Sequence, residues 1–474
     1  MTAQKKGVEI PIQSLEFNPK CRHGPTILFS VKNSDKKYFS CSCQRDHECF
    51  YMDFNTFSKK NLNDICTDDN QLNGKKFNSA ENNKTESFNV SYSELLALVP
   101  SQRTYCKTCE IFTKIVSAHK THKYIEDISD KLLKEPSLFL PQLDNDTFNA
   151  QYFFDSKTLQ FINKVFEDLK FQKIVCLGAP RLHDFFRSKE HHSVKTILLD
   201  IDKRFKTFNY SEDFIHYNML NHFFFDGMED EEKLIKFLKD DDQIRSNICL
   251  FTDPPFAART ELLTWTIRQI SNMYNKANCY HKVLPILWVF PYFNELHIKK
   301  EMPEMEMLDF QVTYMNHKAF REGFKGRKAG SPIRIFTNIE PKYIKYPENF
   351  KDYRFCNSCK KFVSISNVHC NICKACPSKN GSTYRHCTIC ILCVKPNYIH
   401  CPKCNRCVPK VDHDCSTYQQ HQTCWLCDQK GHVETFCRLN KNNKKGKLGK
   451  CFTCKIKKFH NVRNCPLKKM NKFN

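Results

Sequence analysis

The stretch NICLFTDPPF, residues 247–256, decides how the centre of the chain folds. The apolar run Ile248–Phe251 predicts a buried strand. Prolines cannot donate hydrogen bonds to a strand ladder, so the strand is expected to end at Thr252, before Pro254 and Pro255. Asp253 then lies at the carboxyl end of a buried strand, where open α/β sheets bind their ligands.

Short β-rich runs alternate with amphipathic stretches around this motif. Leu263, Ile267, Ile270 and Tyr274 recur at helical spacing, and such alternation predicts parallel βαβ units. A strictly alternating run, Met307–Tyr314, then predicts an antiparallel finish to the sheet. We therefore expect an α/β fold, with a Rossmann-like class I methyltransferase sheet flanked by several small zinc-binding modules. The predicted strands are Lys173–Gly178, Thr196–Asp200, Asp213–Tyr217, Ile248–Thr252, Val283–Phe290, Met307–Tyr314 and Pro332–Ile339.

The corner Asp253-Pro254-Pro255-Phe256 suits chemistry on an adenine amine. That amine is a poor nucleophile because its lone pair is delocalised into the ring. The Asp253 carboxylate and the Pro254 carbonyl can each accept one of its hydrogen bonds, which makes the nitrogen more nucleophilic. Phe256 can stack on a base that has left its helix or loop. A strand followed by a proline-containing turn is common, so the prediction also depends on the strands upstream.

Those upstream strands carry residues that suit S-adenosylmethionine. Gly178 ends the first strand, although no G-x-G-x-x-G motif surrounds it. Asp200 ends the second and can accept hydrogen bonds from ribose hydroxyls. Asn218, beyond the third strand, is placed to cap the edge of an adenine. The segment QYFFD, Gln151–Asp155, supplies aromatic rings and an acid just before the sheet, and core packing is the competing interpretation for its first rings.

The composition points to a polyanionic partner and to metal. The formal net charge is +23, and basic side chains gain free energy by displacing counterions from phosphates. The beginning of the chain, MTAQKKGVEI, has no apolar run of the secretory type, and the stretch around Val283–Phe293 is too short to span a bilayer. We therefore expect no membrane partner, and we expect the 28 cysteines to bind metal rather than form disulfides.

Two zinc modules are predicted before the sheet. CRHGP…YFSCS…ECFYMDF resembles a GRF-type zinc finger, a module that binds single-stranded nucleic acid. A compact C2H2 site follows, whose loops are shorter than those of DNA-reading fingers, which favours a structural role. The predicted ligands are Cys21, His23, Cys41 and Cys49 in the first module and Cys106, Cys109, His119 and His122 in the second.

After the sheet, C-x-x-C pairs alternate with His-Cys dipeptides. The ligands suffice for about four tetrahedral zinc sites, and spacing does not decide between sequential and interleaved pairing. The array partly resembles the cysteine-rich region of DHHC palmitoyltransferases, but Asp412-His413-Asp414-Cys415 lacks the paired histidine. We interpret it as a rigid platform. Its predicted ligands are Cys356, Cys359, His369, Cys370, Cys373, Cys376, His386, Cys387, Cys390, Cys393, His400, Cys401, Cys404, Cys407, His413 and Cys415.

Two zinc knuckles of the CCHC type follow the array. The first has the ligand spacing of retroviral nucleic-acid binders, and the second repeats it with one extra residue. Trp425 and Phe452 occupy matching positions, where an aromatic ring can stack on an unpaired base. The predicted ligands are Cys424, Cys427, His432, Cys437, Cys451, Cys454, His460 and Cys465.

A basic segment, Arg321–Arg334, joins the last two predicted strands. Its Lys325, Arg327 and Lys328 are placed to bind phosphates that flank a target base. A solvated hairpin loop is the alternative interpretation of this segment.

Four motifs, CLGAPRLHDFF, LLDID, DPPF and GRKAGSPIRIFTN, resemble the large-subunit (28S-type) rRNA N6-adenosine methyltransferase family that is named for its CCHC zinc finger (zinc finger CCHC domain-containing protein four). The resemblance covers nearly the whole chain. It implies S-adenosylmethionine-dependent methylation of one adenosine in large-subunit ribosomal RNA, with effects on ribosome function and translation. It also implies a location in the nucleus, nucleolus and cytoplasm. The site residues that it implies are Tyr152, Phe153, Phe154, Asp155, Gly178, Asp200 and Asp253.

These features predict the organisation of the chain. The sequence does not indicate protein partners, and we expect a monomer. The predicted segments are 1–66, a GRF-type zinc finger; 67–90, a flexible linker; 91–149, a C2H2-type zinc site with connecting helices; 150–345, the Rossmann-like S-adenosylmethionine-dependent methyltransferase domain; 346–416, the Cys/His-rich multi-zinc array; and 417–474, two CCHC knuckles with a basic tail.

Two other functions stay open at this stage. In one, the zinc knuckles make the chain a non-catalytic RNA-binding protein, against which the intact Asp200 and Asp253 argue. In the other, the enzyme methylates another nucleic acid or a protein amide. Aspartate at the first position of the motif, together with modules that bind single strands, favours adenine in RNA.

Overall fold

The computed structural model describes two compact units. The first comprises the described residues within Met1–Ile365 and Lys379–Gly381, and the second those within Ser366–Ser378 and Ser382–Asn474. None of the helices in the described part of the chain combines the length and apolarity needed to cross a membrane. The described residues are 8–11, 15–31, 34–43, 49–59, 91–112, 121–138, 140, 151–188, 194–240, 247–279, 282–316, 330–403, 406–409, 413–415, 449–450 and 457–458.

An eight-stranded sheet forms the centre of the first unit. Its strands are β1 (Lys173–Leu177), β2 (Lys195–Asp200), β3 (Phe214–Asn218), β4 (Phe223–Phe224), β5 (Ile248–Thr252), β6 (Ile286–Pro291), β7 (Glu306–Met307) and β8 (Ile333–Thr337). They lie in the order β4-β3-β2-β1-β5-β6-β8-β7. Strands β3, β2, β1, β5 and β6 are parallel, while β4, β7 and β8 pair antiparallel with their neighbours. The predicted α/β class and the antiparallel finish are confirmed.

Helices cover both faces of this sheet, because successive residues of each strand point to opposite sides. Ile174 and Cys176 pack in the cluster that contains the apolar face of α1, and Val175 and Leu177 pack in the cluster that contains that of α4. Strands that are buried on both faces have continuous apolar runs, as β1 and β5 do. The helices are α1 (Ser156–Asp168), α2 (Pro180–Ser188), α3 (Met228–Leu238), α4 (Thr260–Asn278) and α5 (Glu295–Glu301).

The predicted continuous strand Met307–Tyr314 is wrong, although its buried face is right. Only Glu306–Met307 forms a strand, yet the alternate residues Leu308, Phe310, Val312 and Tyr314 are all buried. The segment stays paired with β8 at two points, since the Leu308 amide donates to the Ile335 carbonyl and the Val312 amide to the Ile333 carbonyl, but four of its residues then span only two of β8, which breaks the regular ladder. Side chains bond to amides between and beyond these points. The Gln311 amide donates to the Tyr353 hydroxyl at 3.1 Å, and the Thr313 amide donates to the Thr158 hydroxyl at 3.0 Å.

Small β-modules precede the sheet. The first has one antiparallel sheet of Val8–Glu9, Ile27–Val31, Lys37–Ser40 and Tyr51–Asp53, a hairpin of Lys20–Cys21 with Gly24–Pro25, and the helix Phe54–Lys59. The second has the helices Tyr92–Ala97 and Asp130–Lys134 and a three-stranded sheet of Ile111–Phe112, Tyr105–Cys106 and Tyr124–Ile125.

A hairpin of Tyr353–Cys356 with Lys361–Ser364 belongs to the first unit. Tyr353 and Phe362 pack against its core, and the Ser364 amide donates to the Asp309 carboxyl at 2.9 Å. The predicted multi-zinc array, residues 346–416, included this hairpin. In the second unit, antiparallel hairpins pair Arg385–Cys387 with Leu392–Val394, Tyr398–Cys401 with Arg406–Pro409, and Gly449–Lys450 with Lys457–Lys458.

Candidate active site and metal centres

Three predicted site residues meet at the carboxyl edge of the sheet, where the strand order reverses around β1. Leu177 is the register partner of both Leu199 and Thr252. The residues that follow these three positions, Gly178, Asp200 and Asp253, therefore lie side by side. Open α/β sheets bind ligands at such a switch point.

Gly178 adopts a left-handed conformation at the tip of β1, with φ of 63°. A Cβ atom at this position would lie 3.4 Å from the Asp253 carbonyl oxygen and only 2.3 Å from the Met219 Cε atom. Glycine avoids both the backbone strain and the collision. It thereby allows Met219 to pack directly on the turn beside Asp253.

The Asp253 carboxyl group is held by Tyr314. The Tyr314 hydroxyl donates to Asp253 Oδ1 at 3.0 Å, and no other side chain in the described residues bonds to this carboxyl. Burial raises the pKa of Asp253 well above its ordinary value, and the hydrogen bond from Tyr314 opposes that rise. This contact could not be predicted from the local sequence, because Tyr314 lies 61 residues after Asp253 and its alternating pattern predicted only that it is buried.

The proline corner leaves the Pro254 carbonyl outside its own turn. The Ala258 amide donates to the Pro255 carbonyl at 2.8 Å, so the turn closes one residue later. Pro254 itself is buried. The corner can therefore present the two acceptors that the sequence predicted, the Asp253 carboxylate and the Pro254 carbonyl.

Aromatic rings surround the corner. Phe256 stacks on Tyr152, with ring centroids 5.7 Å apart and an angle of 28° between the planes. It meets Phe290 and Tyr314 edge-on, each at 6.2 Å. Tyr152 and Phe256 are only half-buried, so this pair is the accessible part of the cluster.

The rest of the predicted YFFD segment has partners within the protein. Core packing was the competing interpretation for Tyr152 and Phe153: Phe153 is buried, as is Phe154, whereas Tyr152 is only half-buried. Asp155 caps α1: its Oδ1 accepts the Thr158 amide at 2.9 Å, and its Oδ2 accepts the Thr313 hydroxyl at 2.5 Å. Each carboxylate oxygen can accept a second hydrogen bond, so this capping role is compatible with the predicted cofactor contact, which stays a prediction.

Asp200 fits a ribose-binding acid. Its Oδ1 accepts the Asp202 amide at 2.9 Å, while Asp202 itself is paired with Arg204 at 2.7 Å. Burial and the neighbouring Asp202 raise the pKa of Asp200 to about 7. Hydrogen bonds donated to the carboxylate, as ribose hydroxyls would supply, favour its charged form.

Asn218 has a different role from the one predicted. Its amide nitrogen donates to the His23 carbonyl at 2.8 Å and to the Ser42 hydroxyl at 2.9 Å, both in the first β-module. Its Oδ1 accepts the Leu220 amide at 3.0 Å, and the residue is only 1% exposed. The side chain is therefore committed to holding the N-terminal module and does not cap a cofactor edge.

The predicted ligands of the N-terminal modules come together. The donor atoms of Cys21, His23, Cys41 and Cys49 all lie within 4.8 Å of one another, as do those of Cys106, Cys109 and His122. His119, the fourth predicted ligand of the second site, lies outside the described residues. Thiolates combined with an imidazole suit tetrahedral Zn²⁺, so the donor sets fit the predicted metal.

The array in the second unit pairs its ligands in an interleaved manner. One cluster contains Cys370, Cys373, His386 and Cys393, and the next contains Cys387, Cys390, His400 and Cys407. Neighbouring residues such as His386 and Cys387 thus serve different clusters. Further along, Cys415 Sγ lies 3.2 Å from His413 Nε2 and 3.6 Å from Cys401 Sγ, and Cys404 lies outside the described residues.

C-x-x-C spacing does not identify the cysteines that share a cluster. Cys373 with Cys376 and Cys390 with Cys393 have this spacing, yet Cys376 lies 3.9 Å from His369 Nδ1 and Cys393 joins the cluster of Cys373. In the second unit, the loops Cys370–Cys373 and Cys387–Cys390 each supply two cysteines to one cluster. In each, the second cysteine amide donates to the first sulfur at 3.4 Å.

A left-handed residue directly follows the second cysteine of these loops: Lys374 has φ of 50° and Ile391 has φ of 53°. Glu110, after Cys109, and Lys360, after Cys359, repeat the feature with φ of 57° and 50°. The sharp reversal lets the chain return toward the cluster. The spacing of the cysteines alone does not predict this left-handed turn, because residues other than glycine rarely adopt positive φ.

The predicted RNA-contacting residues lie outside the described residues. These residues are Lys325, Arg327, Lys328, Trp425 and Phe452. The predicted ligands of both CCHC knuckles also lie outside the described residues; they are Cys424, Cys427, His432, Cys437, Cys451, Cys454, His460 and Cys465.

Comparison with known proteins connects this geometry to a family. The family described as "Probable N6-adenine methyltransferase" matches residues 145–341, which include Gly178, Asp200 and Asp253. The rRNA N(6)-adenosine-methyltransferase ZCCHC4 of Homo sapiens is 35% identical over 395 residues, which is 79% of this chain and 74% of the human protein. The protein of the same name from Mus musculus is 36% identical over 386 residues, covering 77% of this chain and 72% of its own length.

Replacing Gly178 by alanine is expected to weaken S-adenosylmethionine binding about tenfold, or ~1.4 kcal/mol, because the new methyl group displaces Met219 at the cofactor edge. Isothermal titration calorimetry measures the change. Gly227→Ala is the matched control, since Gly227 also has a positive φ of 71° but a Cβ atom there would meet nothing within 4 Å. Equal affinities for the two variants would contradict the steric explanation.

Interleaved pairing predicts the zinc content of double variants. Cys370→Ser with Cys393→Ser is expected to remove one ion per chain, because both residues belong to one cluster. Cys370→Ser with Cys387→Ser is expected to remove two, as these residues belong to different clusters. Elemental mass spectrometry counts the ions, and Cys279→Ser, at an exposed cysteine outside these clusters, is the control. Equal losses in the two double variants would refute this pairing.

Proposed function

We propose, because this chain belongs to the family of rRNA N(6)-adenosine-methyltransferases, that it methylates N6 of one adenosine in large-subunit (28S-type) ribosomal RNA. The chain is an S-adenosylmethionine-dependent N6-adenine methyltransferase, as the members of its family are. The finer parts of the proposal are the RNA subunit, the single target and the roles of individual residues.

The contact between Asp253 and Tyr314 carries the proposal. An amine that is to be methylated must lose conjugation with its ring, and acceptors on both of its hydrogens favour that change. The Tyr314 hydroxyl holds Oδ1 of the carboxyl group, which fixes the direction in which the other oxygen points. Preorganised acceptors of this kind cost no reorganisation when charge develops.

The neighbouring rings suit the purine itself. Phe256 and Tyr152 offer half-buried faces beside the two acceptors. Base–aromatic stacking contributes ~1–3 kcal/mol per base, which can offset the cost of unstacking an adenosine from its RNA neighbours. The position of the rings therefore favours an extruded base.

The cofactor fits the edge that Gly178 and Asp200 form. S-adenosylmethionine supplies the electrophilic methyl group when it is bound. The Asp200 carboxylate would accept the ribose hydroxyls, and Gly178, which has no side chain of its own, leaves room for Met219 on the turn beside Asp253. Both residues act by placing the two reactants, and positioning accounts for much of the rate of a direct displacement.

The zinc modules would hold the surrounding RNA. We propose that the CCHC knuckles and the basic segment bind unpaired nucleotides and phosphates near the target, and that a monomer acts in the nucleolus, where ribosomal RNA is made. The net charge of +23 supports this assignment.

Asp253→Ala is expected to abolish methylation, because the adenine amine loses an acceptor that no neighbour replaces. Mass spectrometry of large-subunit rRNA from cells that carry the variant should show the loss of a single N6-methyladenosine. Asp226→Ala, which removes a partly exposed carboxylate paired with Lys206, should leave that nucleotide methylated. An unaltered modification level in Asp253→Ala cells would overturn the proposal.

The pH dependence should report the ionisation of Asp253. Its carboxyl group must be charged to accept from the amine, and burial raises its pKa, so kcat should fall with acidification at a pH above that of an ordinary aspartate. Tyr314→Phe removes a hydrogen bond that favours the charged form, so the acid limb should move to higher pH. Steady-state rates across pH locate the acid limb of the parent chain and that of Tyr314→Phe. Tyr343→Phe, at an exposed tyrosine, is the control, and an acid limb that Tyr314→Phe leaves in place would contradict the assigned contact.

A further inference from the structure

The N-terminal zinc module reaches the cofactor edge through the segment that follows β3, Asn218–Asn221. Asn218 and Asn221 both donate to the His23 carbonyl, at 2.8 and 2.9 Å. His23 belongs to the metal cluster of that module. The segment is therefore tied to the backbone of a metal ligand.

Two apolar residues lie between these anchors. Leu220 packs both with the module residues Leu15, Ile27 and Phe29 and against the core of the sheet, and Met219 packs against that core. The Met219 Cε atom occupies the space where a Cβ atom at Gly178 would be, 2.3 Å from that position. The segment thus links the metal cluster on one side to the tip of β1 on the other.

The loop after β2 has the same kind of support. Ile201, between Asp200 and Asp202, packs against the apolar cluster of the same module, which contains Phe39 and Cys41. Cys41 is one of the predicted zinc ligands. The carboxylate assigned to the ribose therefore precedes a residue that is embedded in the zinc module.

The second module contacts this loop from another direction. Glu110, directly after Cys109, pairs with Arg204 at 3.5 Å, and Arg204 pairs with Asp202 at 2.7 Å. Phe112 packs edge-on against Phe208 with centroids 5.3 Å apart. Both modules that precede the sheet therefore contact the loop that directly follows Asp200.

We propose that the zinc modules before the sheet are positioning elements of the S-adenosylmethionine site, and that Asn218 and Met219 transmit the metal-bound state of the first module to the tip of β1. The inference rests on the proposed cofactor site. Small zinc modules owe most of their folding free energy to the metal, so zinc loss would release Asn218 and Ile201 together. Cofactor affinity would then fall, although none of the zinc ligands has to touch the cofactor.

Calorimetry on the full zinc-loaded chain tests the route. Asn218→Ala is expected to keep its zinc, measured by elemental mass spectrometry, and to bind S-adenosylmethionine about tenfold more weakly. Asn221→Ala is the matched control: it removes two hydrogen bonds to the same module, at 2.9 and 2.8 Å, but does not adjoin Met219. Its affinity should stay within about twofold of the parent chain. Equal weakening in both variants, or none in Asn218→Ala, would overturn the route.

Met219→Ala provides a second test that leaves the module untouched, should Asn218→Ala fold poorly. It is expected to change cofactor affinity by more than about threefold with no loss of zinc. A cofactor affinity of Met219→Ala equal to that of the parent chain would also contradict the inference.

Thermodynamic reciprocity supplies a readout that does not depend on activity. If zinc raises cofactor affinity, saturating cofactor must raise zinc affinity by the same factor. Transfer of zinc to the chromophoric chelator 4-(2-pyridylazo)resorcinol should therefore be reduced by S-adenosylmethionine in the parent chain and not in Asn218→Ala. Equal transfer with and without cofactor would refute the coupling. A parent chain that binds no S-adenosylmethionine at all would instead contradict the proposed function.

Discussion

The alignment of three parallel strands at Leu177 is the constraint on which the active site depends. The Asp253 amide donates to the Leu177 carbonyl at 3.2 Å, and the Gly178 amide donates to the Leu199 carbonyl at 2.9 Å. These two backbone bonds fix where the strands stop. A slip of one residue would turn Asp200 or Asp253 to the opposite face of the sheet, because side chains alternate along a strand. The chemistry of the site is thus set by backbone register before any side chain contributes.

Much of the sheet could be predicted from local sequence, and the reasons are visible in particular residues. Ile248–Thr252 was predicted with its observed bounds because a continuous apolar run ends at two prolines. Met307–Tyr314 was not, because its regular pairing with β8 breaks after Leu308, and the amides of Gln311 and Thr313 bond instead to side chains distant in the sequence. Local patterns cannot report such partners.

The candidate site divides in the same way. Gly178, Asp200 and Asp253 were predicted because each ends or directly follows a strand, and strand ends can be recognised in the sequence. Asn218 also follows this rule, but its partner at His23 is 195 residues earlier in the chain. The family resemblance decided between an enzyme and a non-catalytic RNA-binding protein, since a sheet with zinc modules is compatible with both.

The interleaved zinc array has a mechanical consequence. His386 and Cys387 are joined by one peptide bond yet belong to successive clusters. A peptide unit is planar and nearly inextensible, so it limits how far apart the two neighbouring metal sites can lie. Pulling on such a segment loads metal–ligand bonds rather than a flexible linker. The array therefore resists stretching along its length, a property that a string of separate fingers joined by linkers would lack.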